Sequence, residues 1–451
     1  MSGDVDIDDL LAKAQRPAQQ APRFHAFYKG KIQIMPKCAI RGLDDFSIWY
    51  TPGVAEPSRA IARDPDLVFE YTNKGNSIAI VTDGTRVLGL GDIGPLAALP
   101  VMEGKALLFK YLGGIDAMPV CLDTRDTQEI VRTVRLLAPA FGGINLEDIA
   151  QPKCFRVLDA LRPDCRIPVW HDDQQGTAAV VLAALSNALK VVGKSLPQIR
   201  IAMIGAGAAN VAAYRLLTLA GVAKEAVIVC DSKGTLHPGR RDIAASMREY
   251  PEKWQLCAES NGDRVVGGAA EALRGADVCL AFSRSGPGII APEWIKEMAK
   301  SAIVFACANP VPEIWPWLAK EAGAAIVATG RSDFANQVNN ALCFPGIFRG
   351  VLDVRAQAIT DGMAIAAARE LAACVESAAL GTDRILPGLE EWQVAARVAA
   401  ATAAAAQSEG LARLSRSPEE VLEGALRRIG DARHATAALM REGWIAAPPP
   451  A

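Results

Sequence analysis

The segment Trp170-His171-Asp172-Asp173-Gln174-Gln175-Gly176-Thr177 places adjacent carboxylates after a short apolar run, Ile167-Pro168-Val169, and before an apolar helical stretch, Thr177 to Leu189. Two anionic side chains opening a helix sit at its positive end and repel each other, a repulsion that a bound divalent cation relieves. A second acidic pair, Glu147-Asp148, lies upstream in the apolar frame Ile144-Asn145-Leu146-Glu147-Asp148-Ile149. Taken singly, either pair reads equally well as a helix cap or a solvated turn. Further along comes Gly205-Ala206-Gly207, between a strand pattern at Ile199–Ile204 and a helix pattern at Ala208–Ala220. In that context the first glycine permits a tight turn and the second lets the backbone reach a pyrophosphate on the helix N-terminus. A cation site beside a dinucleotide site points to redox chemistry on an oxygen-rich small molecule.

Other side chains extend the constellation. Asn210 stands where the dinucleotide loop usually has its third glycine, a departure that bears on strand–helix packing. Asp231 ends the next strand, where a carboxylate accepts from a ribose 2′-hydroxyl and repels a 2′-phosphate, which leans the reading to NAD. Lys233, Arg240 and Arg241 follow, and any of them can instead meet the 2′-phosphate of NADP. Arg86, in Thr82-Asp83-Gly84-Thr85-Arg86, offers a planar fork for a carboxylate, or else pairs with Asp83 or Asp92. Lys105 closes Pro100-Val101-Met102-Glu103-Gly104-Lys105, a largely apolar setting in which desolvation or a neighbouring cation lowers an ammonium pKa toward that of a base. Tyr50 adjoins a Pro52-Gly53 turn, as packing or as a proton donor.

The elements that must position these groups read as α/β. From residue 169 short apolar strands (Ala226–Cys230, Val278–Phe282, Ala302–Ala306, Ala325–Ala328) alternate with helix-length intervals, which predicts a parallel sheet with helices on both faces. The divisions expected are a flexible tail at 1–22, an N-terminal mixed α/β substrate domain at 23–168, a doubly wound, Rossmann-like domain at 169–405, and a helical extension at 406–451. The earlier domain shows a strand pattern at Ser77–Thr82, glycine-rich turns at Gly89–Gly94, and helical patterns at Thr127–Leu137 and Pro152–Leu161. An Ala-rich helix, Ala395 to Ala406, suggests close helix packing or an oligomer seam.

Composition narrows the class. The 451 residues suffice for two or three domains, and 51% are hydrophobic, too many for a disordered chain. Lys plus Arg (48) nearly balances Asp plus Glu (50), so nothing steers the chain to nucleic acid or an anionic membrane surface. The acidic start resembles neither a signal nor a transit peptide. The longest charge-free apolar run, 13 residues at Thr177–Leu189, falls short of a bilayer span. Ten scattered cysteines, with no C-x-x-C, read as reduced core residues of a cytoplasmic protein.

Taken in order, seven stretches resemble the malic enzymes of the short-subunit bacterial and archaeal type. They are Tyr50-Thr51-Pro52-Gly53-Val54-Ala55-Glu56-Pro57, Thr82 through Gly94, Pro100 through Lys105, Asn145 through Ile149, His171 through Thr177, Ala308-Asn309-Pro310 and Asn336 through Gly346. The resemblance runs from about Gly30 to Arg349. It departs at Gln175, where His is frequent, at Ser58, where Cys is common, and at Asn210. It implies divalent-metal-dependent oxidative decarboxylation of malate to pyruvate and CO2 with hydride transfer to NAD or NADP, and oxaloacetate decarboxylation as a side activity. Glu147, Asp148 and Asp173 would hold Mg2+ or Mn2+, with Asp172 just behind them. Arg86, Asn309 and Asn340, or Asn339 in its place, would hold the substrate. Lys105 would take the hydroxyl proton and Tyr50 would protonate C3 of enolpyruvate. Gly205, Ala206, Gly207, Ala208, Ala209, Asn210, Asp231 and Asn309 would contact the dinucleotide. The expected assembly is a homodimer or higher homo-oligomer. Two rival readings are a non-redox lyase acting on oxaloacetate and a nucleotide-sensing protein without chemistry.

Overall fold

The computed structural model describes residues 7–450, with side chains in the first helix, Ile7–Tyr28, described from Arg16 onward. Two parallel sheets carry the fold. The first contains β1 (Ser77–Thr82), β2 (Asp116–Cys121), β3 (Gly143–Leu146) and β4 (Val169–His171), in the order β2-β1-β3-β4. The second contains β5 (Ile201–Ile204), β6 (Val227–Asp231), β7 (Gly234–Thr235), β8 (Val278–Ala281), β9 (Ile303–Ala306) and β10 (Ile326–Thr329). Its order is β10-β9-β8-β5-β6-β7, parallel except for the short edge strand β7. Central strands are buried along their whole length, as the unbroken apolar runs of β1, β5, β8 and β9 require when helices cover both faces. The strand order reverses between β5 and β8, which opens a crevice at their carboxyl ends.

The helix Thr177–Val192 joins the two sheets and lies in the core, with Ala179, Val181, Ala183, Ala184 and Leu185 fully buried. With the turn before it, the stretch Asp172–Val192 is long and apolar enough to cross a bilayer, which the 13-residue count had not anticipated; most of it is buried inside the fold. The Ala-rich helix Gln393–Ser408 is an internal seam. Opposite it, the helix Phe344–Asp353 brings Gly346 so close that a Cβ there would stand 2.6 Å from the Ala395 carbonyl oxygen. The last helix, Pro418–Arg441, starts with a capping box in which Ser417 Oγ accepts from Glu420 N and Glu420 accepts from Ser417 N. It folds back onto the helix Gly94–Gly113, where the left-handed Gly114 leaves room for the Arg428 backbone and Arg433 covers the Tyr111 ring.

Three expected divisions are corrected. Residues 7–22, read as a flexible tail, belong to the helix Ile7–Tyr28, and residues 1–6 lie outside the described residues. Pro17 and Pro22 hid this helix, whose end is tied down by Tyr28 Oη donating to the Ala446 carbonyl and Lys31 N donating to Glu103. The boundary at 168 separates β4 from its own sheet, since Val169, Trp170 and His171 pair with β3. An apolar three-residue strand carries no mark of the sheet it joins. The boundary at 405 cuts the helix Gln393–Ser408, so the C-terminal helices continue the body of the protein.

Candidate active site

Lys105 stands at the centre of the seam between the sheets. It projects from the helix Gly94–Gly113 and is buried, with Nζ 2.5 Å from Asp172 Oδ2, 3.0 Å from Glu147 Oε1 and 4.2 Å from the Phe344 ring centre. Burial alone pulls the ammonium pKa down, as expected from its apolar frame. Asp172 and then Glu147 more than reverse this and hold it above the ordinary lysine value. The expected lowering is therefore corrected: the apolar frame was visible, but the two carboxylates come from distant segments.

Each carboxylate is placed by a strand end. β3 delivers Glu147, whose Oε2 accepts from Asn145 Nδ2 at 2.8 Å. β4 leads into a π-type turn, Asp172–Gly176, in which the fully buried Asp172 accepts from Trp170 Nε1 at 3.0 Å. This turn works because residue 176 is glycine. A Cβ there would overlap Asp172 Oδ1 and lie 2.8 Å from Asp172 Cγ.

Asp148 adopts φ +54°, and its backbone N–H donates to Asp173 Oδ2 at 2.8 Å. Burial, reinforced by Asp173, pushes the Asp148 carboxyl up to about 8. Burial also raises Glu147, opposed by Lys105 and reinforced by Asp173, Asp172 and Asp148. Four acids thus crowd one ammonium. Among the described residues no three His, Cys, Asp or Glu side chains converge on one point as a finished cation cage. The donor set nevertheless fits a hard divalent cation: Glu147, Asp148 and Asp173 are mutually repelling oxygen donors, and the buried Asp148 Oδ2 has no hydrogen-bond partner.

The substrate candidates border this cluster. Arg86 is exposed on the loop after β1, its N–H bonded to the Asp148 carbonyl at 3.0 Å. It pairs with neither Asp83, which takes Lys153, nor Asp92, which takes Arg125. Its guanidinium thus keeps its planar fork for a carboxylate. Gly89 on the same loop nearly touches the Asn309 carbonyl oxygen, where a Cβ would come within 2.5 Å. That contact brings Asn309 from beyond β9 against the Arg86 loop. Asn340 abuts Gly176 and the Asp172 turn, whereas Asn339 Oδ1 is committed to capping Ala341 N at 2.9 Å. Of the two asparagines, Asn340 is the one left free beside the cluster. Tyr50 is not brought in. It is 71% exposed, and no hydrogen bond or contact joins it to Lys105.

The dinucleotide loop has the anticipated form. Gly205 takes φ +105°, and Gly207 is the N-cap of the helix Ala208–Leu219 with open space where a Cβ would point. Gly205 cannot be replaced cheaply, since a Cβ would strike the Phe282 carbonyl. The buried Asn210 makes use of its amide by donating to the Ile204 and Gly205 carbonyls at 3.1 and 2.8 Å, while its Oδ1 remains unpartnered. The open cradle and helix N-terminus fit a pyrophosphate. Sequence reasoning missed Phe344 as the cover of Lys105 and Lys253 as a partner of Asp231 at 2.6 Å. Neither had a local signal, because each meets its partner only through the tertiary fold.

Comparison with known proteins covers most of the chain. Residues 29–162 match the family model for the malic enzyme N-terminal domain, and residues 174–407 match that for the malic enzyme NAD binding domain. A bifunctional malic/malolactic enzyme of Bacillus subtilis is 48% identical over 405 residues, spanning 90% of this chain and 97% of the relative. An NADP-dependent malic enzyme of Halomonas elongata is 44% identical, spanning 88% of this chain and 94% of the relative. The crystal structure of the Entamoeba histolytica malic enzyme superposes with a TM-score of 0.95 at 46% identity, covering 99% of this chain and 93% of that one. The malic enzyme of Pyrococcus horikoshii gives 0.89 at 49% identity, covering 94% and 98%.

Proposed function

The chain belongs to the malic enzyme family, and from that premise we propose how its own residues carry the NAD- or NADP-dependent oxidative decarboxylation of malate to pyruvate and CO2. The observation that carries the assignment of roles is Lys105 held between Asp172 and Glu147 beside the free Asp148 oxygen. Arg86 takes a malate carboxylate through its planar fork, with Asn340 and Asn309 bounding the other sides. Glu147, Asp148 and Asp173 hold Mg2+ or Mn2+, which supplies Lewis-acid polarisation of the C2 oxygen and stabilises the charge left as CO2 departs. The dinucleotide, seated on Gly205 through Asn210, accepts the hydride from C2. Lys105 Nζ takes the C2 hydroxyl proton. When Glu147 turns from Lys105 to the cation, Asp172 alone keeps Nζ aimed. A tyrosine hydroxyl then delivers a proton to C3 of the enol to give pyruvate.

That tyrosine is Tyr50, and in one copy of the chain it does not reach Lys105. It sits on a segment that leaves Ile34, Leu43, Ile48 and Trp49 exposed, an apolar surface that calls for a cover. A second copy supplies that cover in our reading, and each Lys105 is served by Tyr50 of the partner subunit. Mixing inactive Tyr50→Phe and Lys105→Ala proteins and allowing exchange then regenerates activity, because a mixed dimer contains one intact pair; failure to recover any activity would reject the shared site. The overall reaction is tested with malate, Mn2+ and each nucleotide by monitoring reduced nucleotide and pyruvate together. Pyruvate without reduced nucleotide would favour a lyase, and neither product would favour a nucleotide sensor.

A further inference from the structure

The end of β6 is not a free carboxylate awaiting a ribose. Asp231 Oδ1 accepts from Lys233 N at 2.9 Å and Arg240 Nη1 at 3.0 Å, and Oδ2 accepts from Arg240 Nη2 at 2.9 Å and meets Lys253 Nζ at 2.6 Å. Those four donors fill the acceptor directions of a carboxylate. Arg240 is equally spent: Nε and Nη2 also reach Asp242 at 2.8 and 2.9 Å, and Nη1 reaches the Gly234 and Thr235 carbonyls. Its fork is closed on the protein, which removes it as a ligand for an incoming group. Lys233 is 71% exposed and 3.5 Å from Asp242. Lys253, from the helix Pro251–Glu259, touches Asp231 with only 29% of its side chain exposed. The Gly205 N–H bonds to the Cys230 carbonyl at 2.8 Å, so this cluster adjoins the glycine turn. Across it, three cations face two carboxylates.

We infer that Lys253 sets the coenzyme of this chain: it occupies the acceptor that a ribose 2′-hydroxyl needs and presents an ammonium to a 2′-phosphate, so NADP(H) binds at least as tightly as NAD(H). The inference rests on the reading of Gly205 through Asn210 as the dinucleotide site. It reverses the lean to NAD, which supposed an Asp231 free to accept and to repel. With Asp231 neutralised by Arg240 and Lys253, both grounds for rejecting a 2′-phosphate are removed, and the excess positive charge attracts it.

The test is direct titration of the purified protein with NADPH and with NADH, followed by nucleotide fluorescence, without malate or metal. Lys253→Ala is expected to weaken NADPH by about tenfold or more while moving NADH by less than about twofold, and Lys253→Arg to retain NADPH binding. Equal loss of both nucleotides in Lys253→Ala, or a wild type binding NADH about tenfold more tightly than NADPH, would overturn the assignment while leaving the dinucleotide site intact. Binding of neither nucleotide to the wild type would overturn the dinucleotide reading and this inference with it.

Discussion

Replacing Gly176 by Ala perturbs the site without touching any charged group. The new methyl would lie 2.8 Å from Asp172 Cγ, whereas non-bonded carbons settle at about 3.5–4.0 Å, so the carboxyl must retreat by about 0.7 Å or more. It has little freedom to do so: Trp170 Nε1 holds one oxygen at 3.0 Å and Lys105 Nζ the other at 2.5 Å. Either the turn opens or the ammonium shifts with its partner. Overpacking of this kind costs about 1–3 kcal/mol of stability. Misplacing a reacting group by about 1 Å costs on the order of 10²-fold in rate. The expected result is therefore a kcat lower by about two orders of magnitude with a melting temperature lower by only a few degrees. The assay is malate oxidation alongside thermal unfolding. Asp172→Asn, which keeps the shape and removes the charge, provides the companion if the alanine variant folds poorly. Wild-type kcat in Gly176→Ala would refute the claim that the Asp172 turn aims Lys105.

Three further outcomes follow from the site. Asn340→Ala should reduce kcat/KM for malate, whereas Asn339→Ala should remove a cap worth about 1 kcal/mol of stability and leave turnover near wild type; the reverse pattern in kinetics and melting would exchange their roles. Tyr50→Phe should slow pyruvate release by about 10²–10⁴-fold, and unchanged pyruvate formation would return Tyr50 to packing. Stripping divalent cations with a chelator should abolish turnover, and adding back Mn2+ should raise the melting temperature, because binding relieves the repulsion among Glu147, Asp148 and Asp173. Melting curves insensitive to Mn2+ would count against those three carboxylates as its ligands.

Runs of β-branched residues made β1 and the parallel strands β5, β6, β8, β9 and β10 legible, and the glycine turn read correctly because its strand and helix flank it. β2 escaped because Pro119 interrupts it, which an edge strand tolerates, and β7 because two residues carry no period. At the site, residue types and order identified Lys105, Glu147, Asp148, Asp173 and Arg86. What could not be read was electrostatic balance. Lys105 looked like a desolvated amine because its two counter-charges are far away in sequence, and Asp231 looked free because Lys253 returns to it only through the fold. Exposure of Tyr50 was likewise invisible in a motif that names the residue and says nothing of its surroundings.

The clamp of the final helix over the Lys105 helix has a consequence for how the protein is made. The helix Gly94–Gly113 leaves the ribosome long before Pro418–Arg441 exists, so the face beside Gly114 and Tyr111 must wait uncovered through synthesis of most of the chain. Contacts of such sequence separation form slowly and leave apolar surface open in the meantime. Nascent chains should therefore stay dependent on holdase chaperones until the last helix emerges. A ribosome stalled shortly before residue 418 would present a Lys105 helix still lacking its clamp.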